Sequence, residues 1–179
     1  MNPIYNSKFA KILSTIIIFL GYNYTMFSSE DKQSDPKLEI WGAITNGFQL
    51  SLQLGKHEYR LGDPIIATIF LKNVRKTPAT LAAFGPTTDI KISVTYGDGK
   101  PVPRTRYGIE VDKSQEITAS TPIVIESGKQ FGYKIEVHTI FDMTAEGDYL
   151  ITAKRQVPKE SGKGVAEVMS NAVKVKIVP

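Results

Sequence analysis

Three carboxylates lie within seven residues of the chain, at Asp142, Glu146 and Asp148. Clustered oxygen ligands are what Ca²⁺ prefers in proteins. The spacing does not match the loop of an EF-hand, and Asp and Glu are also common in solvent-exposed turns. We therefore interpret the three as turn residues, and calcium binding stays open as an alternative.

The inventory of catalytic side chains is small, because the chain has no Cys and two His, His57 and His138. The lack of Cys excludes thiol catalysis, Cys-ligated zinc, iron–sulfur clusters and disulfides. Neither His has a carboxylate at ligand spacing, and no G-x-S-x-G motif places a nucleophile for a Ser-His-Asp relay. The sequence therefore predicts no metal, no cofactor and no enzymatic activity.

A stretch rich in Pro and Arg, residues 101–111, is the third place where side chains could act. Its prolines cannot donate to a β-ladder, so we expect an irregular segment. Loops held by a rigid scaffold are frequent binding sites. The sequence does not establish the ligand-binding residues, and Arg104, Arg106 and Tyr107 are the candidates for binding a peptide or a glycan.

Two basic clusters could suggest nucleic-acid binding. They are interpreted as solvated charge at strand ends, because few aromatic side chains lie among them for stacking on bases. No nucleic-acid partner is predicted. The clusters comprise Lys72, Arg75 and Lys76, and then Lys154, Arg155, Lys159 and Lys163.

The N-terminus has the layout of a secretory signal peptide. Lys8 and Lys11 precede the apolar run Ile12–Leu20, which is shorter than the roughly 20 residues of a comfortable transmembrane helix. Residues 1–28 are therefore predicted to be a signal peptide or an N-terminal membrane anchor, although no A-x-A cleavage motif follows. A buried N-terminal helix is the remaining alternative. Removing this segment lowers the net charge from +4 to +2, so the basic balance gives no indication of a polyanionic partner.

Downstream of residue 28 the chain predicts a flexible tether over residues 29–40 and then one domain over residues 41–179. The tether is polar and charged. In the domain the recurring pattern is alternation of apolar and polar residues, as in Phe48–Leu54 and Ile90–Tyr96, with turns rich in Gly, Pro and Asp. Seven to eight such strands at this spacing predict an all-β, two-sheet antiparallel sandwich.

The segment Asp142–Ala153 indicates which kind of sandwich this is. An acidic residue, a turn and then Gly-x-Tyr149 leading into an alternating strand resembles the tyrosine corner of immunoglobulin-like domains. The wider pattern resembles an uncharacterised family of exported bacterial immunoglobulin-like domains. That resemblance rests on Trp41-Gly, Asn46-Gly-Phe-Gln-Leu50, Leu-Gly-Asp-Pro64-Ile, Leu71-Lys-Asn73, Thr105-Arg-Tyr-Gly108 and Gly162–Asn171.

A second similarity, to the intracellular proteinase inhibitor family, rests on the hairpin Asp89–Arg104 and the Gly-x-Tyr strand. The export signal departs from an intracellular inhibitor. The two resemblances together imply an immunoglobulin-like β-sandwich without catalytic residues. We expect an exported binding or assembly module of the bacterial envelope, in the periplasm, at the cell surface or outside the cell, with another envelope protein or a glycan as partner. Protease inhibition is the alternative.

Overall fold

The computed structural model describes residues 27–28, 40–113 and 119–179. The predicted signal segment up to residue 26 and the tether from 29 to 39 lie outside the described residues. Of the predicted signal segment, Phe27–Ser28 forms a short strand. None of the helices in the described ranges is long and apolar enough to cross a membrane.

The described residues form eleven strands and three short helices, and the fold is an all-β sandwich as predicted. In chain order they are β1 (Phe27–Ser28), β2 (Phe48–Leu54), β3 (Glu58–Arg60), β4 (Ile66–Asn73), β5 (Ala79–Ala83), α1 (Pro86–Asp89), β6 (Ile90–Tyr96), α2 (Arg106–Lys113), β7 (Thr121–Ile125), β8 (Gln130–Glu136), α3 (Val137–Ile140), β9 (Gly147–Pro158), β10 (Val165–Met169) and β11 (Val173–Val178).

The strands pair into two main sheets and a ribbon. The first sheet has the order β1-β8-β4-β2, and all its neighbours are antiparallel. In the second sheet β9 pairs with β6 on one side and with β10 and β11 on the other, and β3 lies beyond β11. The pairing of β3 with β11 is parallel, which departs from the predicted all-antiparallel arrangement. Strands β5 and β7 form the two-stranded ribbon.

Alternation along the strands produces the buried layer between the sheets. Phe48, Leu50 and Leu52 of β2 are almost fully buried, as is Ile151 of β9. Burying each such side chain contributes about 1.5–3 kcal/mol. The polar Ser51 is also buried, and its hydroxyl donates a hydrogen bond to the carbonyl of Ile40 at 2.8 Å.

Tyr149 forms the tyrosine corner that the sequence predicts. Its hydroxyl donates a hydrogen bond to the carbonyl oxygen of Ala145 at 2.5 Å, and the side chain is 1% exposed. Its ring packs 5.3 Å from that of Tyr96. Burial raises the pKa of Tyr149, and the neighbouring Tyr96 and Asp142 act in the same direction. Tyr149 therefore joins β9 to the turn before it.

The prediction of an irregular segment over residues 101–111 is partly wrong, because residues 106–113 form α2. The hydroxyl of Thr105 accepts a hydrogen bond from the backbone N–H of Gly108 at 2.9 Å, which satisfies a free donor at the start of the helix. A Cβ at Gly108 would lie 2.1 Å from the carbonyl oxygen of Ile140. Only glycine allows α2 to approach α3 this closely.

The last hairpin is longer than the sequence pattern suggests. The predicted strand Asp148–Ala153 is the first half of β9, which continues to Pro158. Residues 154–158 pair with β10, a strand that was not predicted. Gly162 and Gly164 adopt positive φ angles of 73° and 81° at the tip of this hairpin, a conformation that glycine adopts without steric cost.

Candidate functional site: an outer-face groove

Arg104, the first predicted ligand-binding residue, is held by the protein itself. Its Nε lies 3.1 Å from Oδ2 of Asp112, and its guanidinium is 4.2 Å from the ring centre of Phe141. An arginine that both pairs with a carboxylate and stacks on an aromatic ring is a typical structural clamp. Here it links Asp112, in the last turn of α2, to Phe141, with which Arg104 also forms an isolated β-bridge.

The other two predicted ligand-binding residues have different surroundings. Arg106 is exposed at the first position of α2. Tyr107 is half-buried and packs against the hydrophobic core. The structure therefore places one of the three in an ion pair, one in solvent and one against the core.

The three carboxylates and two histidines also have separate roles. Oδ1 of Asp142 accepts a 2.6 Å hydrogen bond from the Thr144 hydroxyl, while Asp148 lies on β9. His57 Nδ1 is 3.1 Å from the carbonyl oxygen of Lys174, and His138 Nδ1 accepts from the N–H of Ile65 at 3.2 Å. The ranges that the structure describes contain no group of three His, Asp or Glu residues able to hold a metal ion.

The interpretation of the second basic cluster as solvated charge is wrong for Arg155. It is buried at 3% exposure, because β9 turns its side chain toward the interior. Its Nη2 lies 3.4 Å from Oδ2 of Asp89 at the end of α1 and donates to the carbonyl of Ala82 at 3.3 Å. Among the described atoms, Nη1 of Arg155 is buried without a hydrogen-bond partner.

The carboxylate of Asp89 joins the two sheets. It accepts a short hydrogen bond from the hydroxyl of Tyr133 on β8 and another from the backbone N–H of Phe84 at 3.2 Å. Burial raises the pKa of Tyr133 well above its ordinary value, and the hydrogen bond to Asp89 adds to the effect. We assign this cluster of Asp89, Tyr133 and Arg155 a structural role, since no described groove opens onto it.

A different place, on the outer face of the second sheet, has the size of a binding site. An open groove of about 530 Å³ lies over β6, β9 and β11, within the range typical of ligand pockets. We call it the outer-face groove. Its lining residues are His57, Thr95, Tyr96, Gly97, Gly99, Asp148, Tyr149, Leu150, Lys174, Val175 and Lys176.

Strand register explains how these side chains come together. Thr95, Leu150 and Lys174 form one row across β6, β9 and β11. Asp148 and Lys176 are partners in the next row, and both are exposed. The hairpin turn at Gly97–Gly99 closes one end, where the Gly97 N–H donates to the carbonyl of Asp148 at 2.7 Å.

The charged groups of the groove are available to a ligand. In the described part of the chain, none of Asp148, Lys174 and Lys176 takes part in an ion pair within 4.0 Å. Leu150 is half-buried beside Lys174 and offers an apolar contact. The groove can therefore combine hydrogen bonds, both signs of charge and a small apolar surface, which is the chemistry of peptide or glycan recognition.

Sequence reasoning missed this groove although one signal was present. The alternation in Val173–Val178 indicates that Lys174 and Lys176 share the solvent face of β11. The sequence pattern does not tell which strands lie beside β11, so Asp148 and Tyr96 could not be joined to it.

Comparison with known proteins adds a likeness of fold at low similarity. No protein-family model matches the chain, and no curated protein matches it. Among solved structures, the alkylpurine DNA glycosylase AlkC of Pseudomonas fluorescens is 13% identical with a TM-score of 0.39, over 74% of this chain and 31% of that one.

The structural-genomics target SoR45 is 12% identical with a TM-score of 0.43, over 75% of this chain and 90% of that one. One chain of the complex between the Salmonella enterica SafA pilin and the SafB chaperone is 17% identical with a TM-score of 0.37, over 77% of this chain and 58% of the matched one. The chain thus spans less than a third of AlkC and little more than half of the chain matched in the pilin complex.

Proposed function

We propose that this protein is a non-catalytic binding module exported to the bacterial envelope, and that it holds its ligand in the outer-face groove. The observation that carries the proposal is a groove of about 530 Å³ lined by Lys174, Lys176 and Asp148, none of which forms an ion pair with another described residue. The ligand class is a polar segment of another envelope protein or a glycan.

The side chains of the groove support binding without chemistry. Its one lining carboxylate, Asp148, has no second carboxylate beside it in the lining set, whereas glycoside hydrolysis uses a pair. His57 is placed next to the carbonyl oxygen of Lys174 rather than next to a hydroxyl nucleophile. A sandwich whose strands fix the positions of these groups provides a rigid, preorganised surface.

Export to the envelope rests on the sequence of residues 1–28 and on the resemblance to exported immunoglobulin-like domains. The sandwich fold is compatible with both. Fractionation of the native host tests this part separately, with the chain expected in the periplasm, at the surface or in the medium. Recovery of the full-length chain from cytosol would remove export but leave groove binding standing.

Groove binding is tested by charge reversal in the full chain. We expect Lys174→Glu/Lys176→Glu to lower retention of the ligand from an envelope extract or a glycan array at least tenfold, since two attractive contacts become repulsive. The matched control is Lys159→Glu/Lys163→Glu, which makes the same charge change at the exposed hairpin tip. Equal retention by the two variants would contradict the proposal.

The alternative function, protease inhibition, follows from the resemblance to the inhibitor family. It is tested with the same variants against a panel of serine, cysteine and metalloproteases. Inhibition that persists when Lys174 and Lys176 are reversed would favour an inhibitory surface elsewhere on the domain. Lack of inhibition across the panel would leave ligand binding as the proposal.

A further inference from the structure

The charged side chains of the outer-face groove are unevenly distributed. Lys174 and Lys176 lie on β11, and both are exposed. Asp148 lies on β9, opposite Lys176 in the strand register, and it is the one carboxylate among the lining residues. The groove therefore has two positive groups along its β11 side and one negative group across from the second of them.

The spacing of the two lysines suits an anionic group on the ligand. They are two residues apart on one face of a strand, which places their Cα atoms about 7 Å from each other. Neither lysine forms an ion pair within 4.0 Å with another described residue. Because like charges side by side repel, an anion that lies between the two ammonium groups is attracted by both of them.

The other polar groups of the groove suit hydroxyls. Nδ1 of His57 lies 3.1 Å from the carbonyl oxygen of Lys174. A carbonyl oxygen can only accept, so Nδ1 carries the proton and Nε2 of the neutral ring is an acceptor. Ionised Asp148 also accepts, and the hydroxyl of Thr95 both donates and accepts. A sugar hydroxyl can donate to such acceptors.

The position of the groove on the face of the sheet favours a glycan over a peptide. Along the groove β9 is paired with β6 on one side and with β11 on the other, so its backbone groups are already used within the sheet. The groove therefore offers no strand edge on which a peptide backbone could form a ladder. Its apolar side chains that are not buried are Tyr96 and Leu150, whereas protein partners bind mainly through buried aromatic and apolar anchors.

We propose that the outer-face groove binds a glycan built from uronic acid units, each of which carries one carboxylate and several hydroxyls on its ring. This inference rests on the function proposed above and narrows its ligand to one chemical class. The carboxylate of a unit lies between Lys174 and Lys176. Ring hydroxyls donate to Asp148 and to Nε2 of His57.

The test measures binding of the full chain to hexamers of galacturonate, glucuronate, mannuronate and guluronate by isothermal titration calorimetry. We expect at least one hexamer to bind, and its methyl ester, which keeps the hydroxyls but has no charged carboxylate, to bind at least tenfold more weakly. Lys174→Gln/Lys176→Gln should also weaken binding of the acidic hexamer at least tenfold. Lys159→Gln/Lys163→Gln at the exposed hairpin tip is the matched control and should bind as the wild type does. Lack of binding by all four hexamers would overturn the proposal.

Substitution of Asp148 separates recognition of hydroxyls from attraction by charge, because the two predict opposite effects. Asp148→Asn removes a negative charge, so a ligand held by charge alone, for which hexaglutamate is the probe, should bind this variant more tightly. The uronate hexamer should bind it at least threefold more weakly, because its hydroxyls lose an ionised acceptor. Glu160→Gln makes the same charge change at the hairpin tip and should have no effect. Equal or tighter binding of the uronate hexamer to Asp148→Asn would overturn the proposal.

The results also distinguish this inference from the function on which it rests. Binding of a neutral glycan or a protein that is lost in Lys174→Glu/Lys176→Glu, without binding of any uronate, would retain the groove and overturn the assignment to uronates. Hexaglutamate that binds the wild type as tightly as the best uronate would assign the groove to acidic peptides instead. Uronate binding that is unchanged by substitution of both lysines would overturn groove binding as well.

Discussion

Replacement of Asp89 by Asn should destabilise the domain more than any exposed ion-pair substitution. The side chains of Asp89 and Arg155 are 3% and 2% exposed, and Nη2 of Arg155 lies 3.4 Å from Oδ2 of Asp89. Asn keeps the size of the side chain and part of its accepting capacity but removes the negative charge. The guanidinium then stays buried without a counter-charge.

The magnitude follows from how little else holds Arg155. Its described hydrogen-bond partners are Asp89 and the carbonyl of Ala82, Nη1 has none, and the guanidinium also lies 5.7 Å from the ring centre of Tyr133. Removing one partner of a buried pair typically costs about 3–5 kcal/mol, because the remaining charge is left desolvated. We expect Asp89→Asn to lower the free energy of unfolding by that amount, measured by urea denaturation followed by circular dichroism.

Two further variants make the result diagnostic. Glu167→Gln breaks the Lys154–Glu167 pair, whose atoms lie 2.9 Å apart at 41% and 45% exposure, and should cost less than about 1 kcal/mol. Asp89→Asn/Arg155→Met also removes the buried positive charge and should be more stable than Asp89→Asn alone. A loss below about 1 kcal/mol for Asp89→Asn, or a double variant less stable than the single one, would refute the uncompensated-charge argument.

Three other substitutions address separate contacts. Tyr149→Phe removes the hydroxyl of the tyrosine corner and should lower the free energy of unfolding by about 1 kcal/mol in urea, and no change would show that the corner bond is not stabilising. Gly108→Ala should lower the melting temperature, because the new Cβ would meet a backbone oxygen at 2.1 Å, whereas Gly55→Ala meets nothing within 4 Å and serves as control. Because the pKa of Tyr133 is raised in the folded state, its hydroxyl stays protonated there at a pH where the unfolded state has already lost the proton. The contribution of Tyr133 to the free energy of unfolding is therefore complete below about pH 10 and decreases as the pH rises further. Stability curves measured from about pH 9 to 11 should therefore fall less steeply for Tyr133→Phe than for the wild type, and parallel curves would contradict this.

The strands could be predicted where one face is buried and the other is solvated. In β2 and β11 the apolar residues alternate cleanly, and the structure buries them as the pattern predicts. Tyr149 could be predicted as well, because its corner depends on a local sequence and a turn. Both features leave a local pattern in the sequence, alternation in one case and Gly-x-Tyr after a turn in the other.

Helix α2 could not be predicted, because its cause is tertiary. An eight-residue segment with Gly108 in its interior has little helical propensity of its own. The helix forms where Thr105 satisfies its first turn and where Gly108 allows contact with α3. Neither contact is visible in the sequence pattern, so the segment was predicted to be irregular.

The same limit explains Arg155 and the outer-face groove. Arg155 lies among Lys154, Lys159 and Lys163 in the sequence, and a run of cations is usually a solvated surface. Its burial depends on the carboxylate that α1 brings from 66 residues away. Likewise, Lys174 belongs to a candidate site because β6, β9 and β11 lie side by side, and the sequence pattern does not reveal this order.

Because the chain has no Cys, no disulfide can join the two sheets. Besides apolar packing, hydrogen bonds and ion pairs of polar side chains must hold them together. Two of the links among the described residues are the following. The carboxylate of Asp89 connects Tyr133 of the first sheet to Arg155 of the second. The side-chain amide of Asn171, just before β11, accepts from the N–H of Leu52 at 2.8 Å and donates to its carbonyl at 3.0 Å. The Asn171 contact therefore holds β2 to the segment that leads into β11 without a covalent link.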